Sequence, residues 1–129
     1  MRVYPNGSGF AVVHNEMHGE LSGNRTLCSH NGRPQSGGKT CILWSTVLGS
    51  TVDGGSSWQL AQKPLFTLPK KYAVDIPLQG YGALGPPLYE EGFYYGHVFR
   101  DNFDGNAGVC AWRTATPHDA GSYRGWNGR

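Results

Sequence analysis

The segment His14-Asn15-Glu16-Met17-His18-Gly19 places four ionisable or amide side chains within five positions, at the end of an apolar run. A strand end beside a cleft is where acid and base groups are commonly mounted. Partial desolvation favours the protonated form of a carboxyl group, which is the state a general acid needs. Glu16, between His14 and His18, is therefore the expected acid. Asp101 and Asp75 are the complementary carboxylates, each a base that activates water or, if close enough, a nucleophile. His14, Asn15, His18, Tyr81 and Arg100 supply the hydrogen-bonding and stacking groups expected to hold a substrate. Two carboxylates on a groove with arginine and aromatic neighbours form the minimum set for cleaving a glycosidic bond. The same residues also have plain readings. Glu16 and Asp101 read equally well as solvated loop carboxylates, and an Arg100 pair with Asp101 or Asp104 on the surface would be worth little.

The elements that must position these groups are short strands. In 129 residues the chain carries 20 glycines and 8 prolines. These punctuate apolar runs too short and irregular for a helical stripe. An internal repeat orders them. Gly9-Phe10-Ala11-Val12-Val13-His14 resembles Gly92-Phe93-Tyr94-Tyr95-Gly96-His97, 83 positions on (92 − 9). Thr40 to Thr46 likewise parallels Val109 to Thr114, and each is followed by a turn and an aromatic run. Repeated units of short strands predict an all-β fold of two successive four-stranded antiparallel units. The first unit, about residues 1–62, takes strands near 2–4, 9–15, 40–47 and 57–62. A proline-bearing crossover follows over 63–79, and the second unit, about 80–129, takes strands near 80–84, 92–100, 108–114 and 122–126. Residues 19–39 read as a long polar loop. The whole, 1–129, reads as one domain. His14 and His97 occupy one repeat position, which predicts a shared structural role.

The turn Thr51-Val52-Asp53-Gly54-Gly55-Ser56-Ser57-Trp58 joins two of these strands. Gly54 and Gly55 permit positive φ, the Asp53 carboxylate accepts turn N–H groups, and Trp58 folds back as a plug. Thr51, Asp53, Gly55 and Trp58 match the pattern of the Asp-box, a turn between the outer strands of blades in sialidase-like β-propellers. That turn, the strand ending His-Asn-Glu-x-His-Gly, Gly80-Tyr81-Gly82 and Gly108 to Thr114 together resemble one group: sialidase/arabinanase-like β-propellers, a largely uncharacterised glycoside hydrolase-like family. The resemblance implies about two propeller blades, either part of a propeller or a subunit whose copies complete one as a homo-oligomer. It implies a carbohydrate partner, with Glu16 as the catalytic candidate and Asp53 as a structural residue on the opposite face. The chain departs from sialidases in offering one well-placed arginine, Arg100, where three would clamp a sialic acid carboxylate. A lectin-type propeller without catalysis and a protein-interaction propeller remain alternatives. A third arrangement packs the two units as a small sandwich.

Charge and cysteine content limit the other classes. A net charge of +2 without a Lys/Arg stripe gives no basis for a nucleic-acid partner. No apolar signal region opens the chain and no stretch is long enough for a membrane span, so location is unassigned, with an extracellular one admitted. Of three cysteines, Cys28 and Cys41 flank a loop that a disulfide would bridge in an oxidising compartment. Cys110 reads as a small apolar residue. No Cys or His spacing fits zinc, and neither metal nor cofactor is expected.

Overall fold

A computed structural model describes residues 1–18, 29–30, 33–34, 42–69, 79–101 and 107–125, most of them in strands. The strands are β1 (Arg2–Val3), β2 (Gly9–His18), β3 (Ser29–His30), β4 (Arg33–Pro34), β5 (Ile42–Thr51), β6 (Gln59–Phe66), β7 (Gln79–Glu90), β8 (Phe93–Asp101), β9 (Gly108–Thr114) and β10 (Arg124–Gly125). Among the described residues a 3-10 turn, Ala120–Ser122, is N-capped by the Asp119 carboxylate, which accepts from Gly121 N. The all-β expectation holds. Among the described residues no helix is long and apolar enough to cross a membrane.

Strands β1, β2, β5 and β6 pair in that order, antiparallel throughout, and so do β7, β8, β9 and β10. The two groups belong to one eight-stranded sheet. Several strands run longer than the sequence predicts. β5 reaches Thr51, β6 reaches Phe66 and β7 reaches Glu90. Pro64 lies inside β6 instead of the crossover, and the β5–β6 register shifts on both sides of its partner Val47. A proline offers no N–H to the ladder, so it is confined to such an irregular edge. The region expected to be a polar loop contains the two-residue pairing of β3 with β4.

The third-strand part of the repeat is out of register with the second-strand part. Val13 pairs with Val47, whereas its repeat mate Gly96 pairs with Trp112. Trp112 is thus the structural counterpart of Val47, and Trp44, opposite Glu16, has Val109 as its counterpart.

Most of the core lies between the two groups. Phe10 and Leu48 of the first meet Tyr94, Val98, Trp112 and Tyr123 of the second, all buried. Phe10 is fully enclosed and meets the Tyr94 ring edge-on at 5.0 Å. Enclosing such a side chain contributes about 2 to 3 kcal/mol. The tyrosine hydroxyls of the core are satisfied, whereas the buried Trp112 Nε1 has no hydrogen-bond partner among the described residues. The Tyr4 hydroxyl donates to that of Tyr94 at 2.6 Å, and the Tyr123 hydroxyl donates to the Pro117 carbonyl at 2.9 Å. Burial, and then the Tyr94 hydroxyl, push the Tyr4 phenol up to about 12. Cys110 is half-buried beside this core, with a free thiol. Cys28 and Cys41 lie outside the described residues.

The link between the two groups is narrow. β5 carries β6 along its later half, while its start pairs in parallel with β7 through Leu43–Gln79 and Trp44–Gly80. Gly80 has φ +134°, and a Cβ there would lie 2.0 Å from the Trp44 carbonyl oxygen. Only glycine fits such a crossing. Gly80→Ala should therefore cost about 3 kcal/mol or more, since backbone must move to admit the methyl group. Gly85→Ala, at φ +66° with open space around it, should cost about 1 kcal/mol. Urea midpoints of the two variants measure the contrast; equal small shifts would show that β7 does not cross here.

Candidate functional site

β2 ends in alternating polar residues, and strand geometry sends His14 and Glu16 to the side that carries Phe10 and Val12. The apolar interlayer surface is therefore continued by an imidazole and a carboxylate. His14 Nε2 lies 3.0 Å from Glu16 Oε1. The His14 ring stands edge-on to Trp44 at 5.1 Å. On the other side lies Gly82, where a Cβ would come within 3.1 Å of His14 Cε1. A side chain at position 82 would force the imidazole to shift by a few tenths of an ångström. Desolvation at Glu16 is modest, with 38% of its side chain exposed.

Cross-strand register gives the wider frame. Glu16 pairs with Trp44, Trp44 with Gly80, and Gly80 with Asp101. The two carboxylate residues stand in one row across four adjacent strands. At about 4.8 Å per strand that row is about 14 Å long between backbones. Direct nucleophilic attack requires carboxyl groups about 5 Å apart, and water activation about 6.5 to 9.5 Å. A backbone row of that length lies nearer the second spacing than the first.

The remaining predicted residues scatter. Asn15 faces away from His14, and its Nδ2 donates to Ser45 Oγ at 3.2 Å. His18 closes β2 opposite Ile42. Tyr81 pairs with Arg100, and its ring packs 6.5 Å from Phe66 beside the core. Arg100 is half-buried, and its Nε has no hydrogen-bond partner among the described residues. As neighbours on one strand, Arg100 and Asp101 point to opposite faces. Asp75 lies outside the described residues. His97, the repeat mate of His14, is exposed opposite Ala111, so the two histidines do not share surroundings. Among the described residues no group of three or more His, Cys, Asp or Glu side chains is placed to hold a metal ion.

Trp44 is the site residue that sequence reasoning passed over. Its indole Nε1 is buried without a hydrogen-bond partner among the described residues, beside the His14 imidazole. Its pairing with Glu16 depends on a register set across a long connection, which no local pattern announces.

The Asp53 turn is built quite differently. Asp53 Oδ1 accepts from Thr51 Oγ1 at 2.7 Å and from Ser57 N at 3.0 Å, and Oδ2 accepts from Ser57 Oγ at 2.6 Å. Thr51 Oγ1 in turn accepts from Gly55 N, and Trp58 Nε1 donates to the Gly55 carbonyl at 3.1 Å. The Ser57 hydroxyl, the Ser57 N–H and the Thr51 hydroxyl hold the Asp53 carboxyl well below the usual range. No family model matches the chain, and no curated protein or solved structure aligns with it.

A carboxyl group depressed in the folded state adds stability above its unfolded pKa of about 4, and that stability is lost as pH falls through the folded value. Asp53→Asn should thus lower the thermal midpoint at pH 7. The gap from the parent chain should hold down to about pH 5 and narrow below about pH 4. Thermal scans across pH 2–7 test this; a gap independent of pH would mean the charge of Asp53 contributes nothing.

Proposed function

We propose that this chain handles a carbohydrate at the Glu16 row, within an architecture related to sialidase-like β-propellers. The single observation that carries the reading is the Glu16–His14 pair seated against Trp44, in register with Asp101. An indole beside a carboxylate and an imidazole offers both stacking and hydrogen bonding to a pyranose ring. Glu16 is the proton donor in this proposal, and His14 holds its carboxyl in place. Asp101 is the base, acting through water, because the row is too long for it to act as nucleophile. Asp75 stays a further carboxylate candidate from the sequence.

The architectural part of the proposal rests on the two four-stranded meanders. Each runs in chain order, as the strands of a propeller blade do, and a parallel pairing joins the two in one sheet. The Asp53 turn sits between third and fourth strands, the place an Asp-box occupies, with Thr51, Gly55 and Trp58 in their expected parts. Carbohydrate binding without turnover is the second reading. It is favoured by the exposure of Glu16, since an acid catalyst gains from a drier setting.

Two variants separate these readings. With a panel of aryl glycosides and oligosaccharides, Glu16→Gln should lower kcat by about 100-fold or more while leaving binding within a few-fold. Trp44→Ala should weaken glycan binding by about tenfold or more by loss of stacking. Binding without turnover in the parent chain would establish the lectin reading. Neither binding nor turnover across a broad glycan array would overturn both.

A further inference from the structure

β8 is apolar on both of its faces. Its pairing with β9 runs without interruption from Tyr94 to Arg100, so side chains alternate regularly along it. Tyr94 and Val98 are buried in the core. Phe93, Tyr95, His97 and Phe99 take the other face, where the three aromatic residues are half-buried and His97 is exposed. A strand with one solvated face ordinarily carries polar residues there. Neighbouring strands continue the apolar character. Leu88, opposite Tyr95, is 70% exposed, and Val109, opposite Phe99, is 62% exposed. An exposed apolar surface rimmed by polar groups marks a binding site.

The face runs into the Glu16 site. Phe99 pairs with Gly82, and a Cβ built on Gly82 would lie 3.1 Å from His14 Cε1 and 3.2 Å from His14 Nδ1. Asp101, two positions beyond Phe99, falls on the same face. The aromatic row therefore begins beside the imidazole paired with Glu16 and carries the second carboxylate at that end. Alternate residues of a strand lie about 6.6 Å apart, so Phe99, Tyr95 and Phe93 mark out a line about 20 Å long. The Phe93 and Tyr95 rings are 6.2 Å apart and tilted by 54°. Arg113, opposite Tyr95, stacks over the Phe93 ring at 5.1 Å and closes the far end. Charge argues against a nucleic acid here. Arg113 is set against Glu90, opposite Phe93, and Asp101, so among the described residues the face has no surplus of positive charge for a phosphate backbone. An extended peptide gains its main-chain bonds at a strand edge, whereas β8 is paired on both sides. A neutral chain with apolar faces and hydroxyl edges fits both the rings and their polar rim.

We propose that Phe99, Tyr95 and Phe93 form a platform for the further units of a linear, neutral oligosaccharide, one unit of which lies at Glu16. Phe99 and Tyr95 stack against successive sugar faces, and His97 between them bonds a hydroxyl. Arg113 and Glu90 meet the hydroxyls at the end of the line. The ligand class is then a polysaccharide chain and not a single sugar. The proposal rests on the carbohydrate reading and adds to it the length of the ligand.

Titration calorimetry of the full chain tests it, with neutral gluco-, xylo-, galacto- and manno-oligosaccharides each supplied as disaccharide and hexasaccharide. The hexasaccharide of the preferred sugar should bind about tenfold or more tightly than the disaccharide. Tyr95→Leu keeps apolar volume but removes the flat ring. It should cut that advantage to about threefold or less while leaving the disaccharide affinity unchanged, and Tyr95→Phe should restore it. Trp44→Ala, at the Glu16 end, should weaken both lengths alike. Phe99→Leu serves if circular dichroism shows that Tyr95→Leu is not folded. Equal affinity for the two lengths in the parent chain would overturn the platform and leave the carbohydrate reading standing. So would a length advantage that survives the leucine variants. Binding at neither length would overturn both. A Tyr95→Leu variant that changes the sedimentation of the chain, with hexasaccharide affinity unaltered, would assign the face to a second copy and overturn the platform.

Discussion

The arrangement depends on one crossing, where the Gly80 backbone passes against the carbonyl of Trp44. Two parallel pairings at that point are the only strand pairing between the meanders among the described residues. From there β5 turns to its pairing with β6, while β7 departs and carries β8 and β9 over the first layer. The missing Cβ at Gly80 has three consequences. It admits the backbone contact, it completes the row from Glu16 to Asp101, and it brings Gly82 against the His14 ring. Site geometry and layer geometry thus share one cause.

What holds the layers once they meet is aromatic. Phe10, Tyr94, Trp112 and Tyr123 supply most of the enclosed volume, and their rings meet edge-on or tilted at 5.0 to 5.1 Å where they are in contact. Large rings suit two short-stranded layers because each one covers several strand positions. They also explain why the polar hydroxyls of Tyr4, Tyr94 and Tyr123 sit at the rim, paired with one another or with a carbonyl. The aromatic interlayer surface runs out at His14 and Glu16, so the candidate site is the polar end of the same face that forms the core.

Local signals in the sequence carried most of the strand layout. The apolar runs at 9–15, 92–100 and 108–114 are strands, and Asp53-Gly54-Gly55 is a turn, because alternation and positive-φ residues act over a few positions. Non-local register was not legible. The parallel of Trp44 with Trp112 rests on similar residue types, yet the strands pair so that Trp112 answers Val47. In an antiparallel pair joined by a long connection, register follows from packing across both layers, which no single window contains. The same limit concealed Trp44 as the neighbour of His14, and it led to Tyr81 being read as groove-lining when its ring packs beside the core.

The two carboxylates of greatest interest show why a perturbed acid is a weak guide to chemistry by itself. Strong pKa shifts do gather at active sites, but structural networks produce them too. Asp53 is the clearest case: three donors from Thr51 and Ser57 fix both its oxygens inside an eight-residue turn. A carboxylate so occupied can neither give up a proton near neutral pH nor turn toward a ligand without undoing the turn. Glu16 is placed otherwise, on a long strand whose backbone pairs with β5, with its carboxyl group beside the His14 imidazole. Its position at the end of an aromatic face, against a histidine and an indole, is what makes it the candidate. Geometry of that kind separates a residue the fold consumes from one the fold presents.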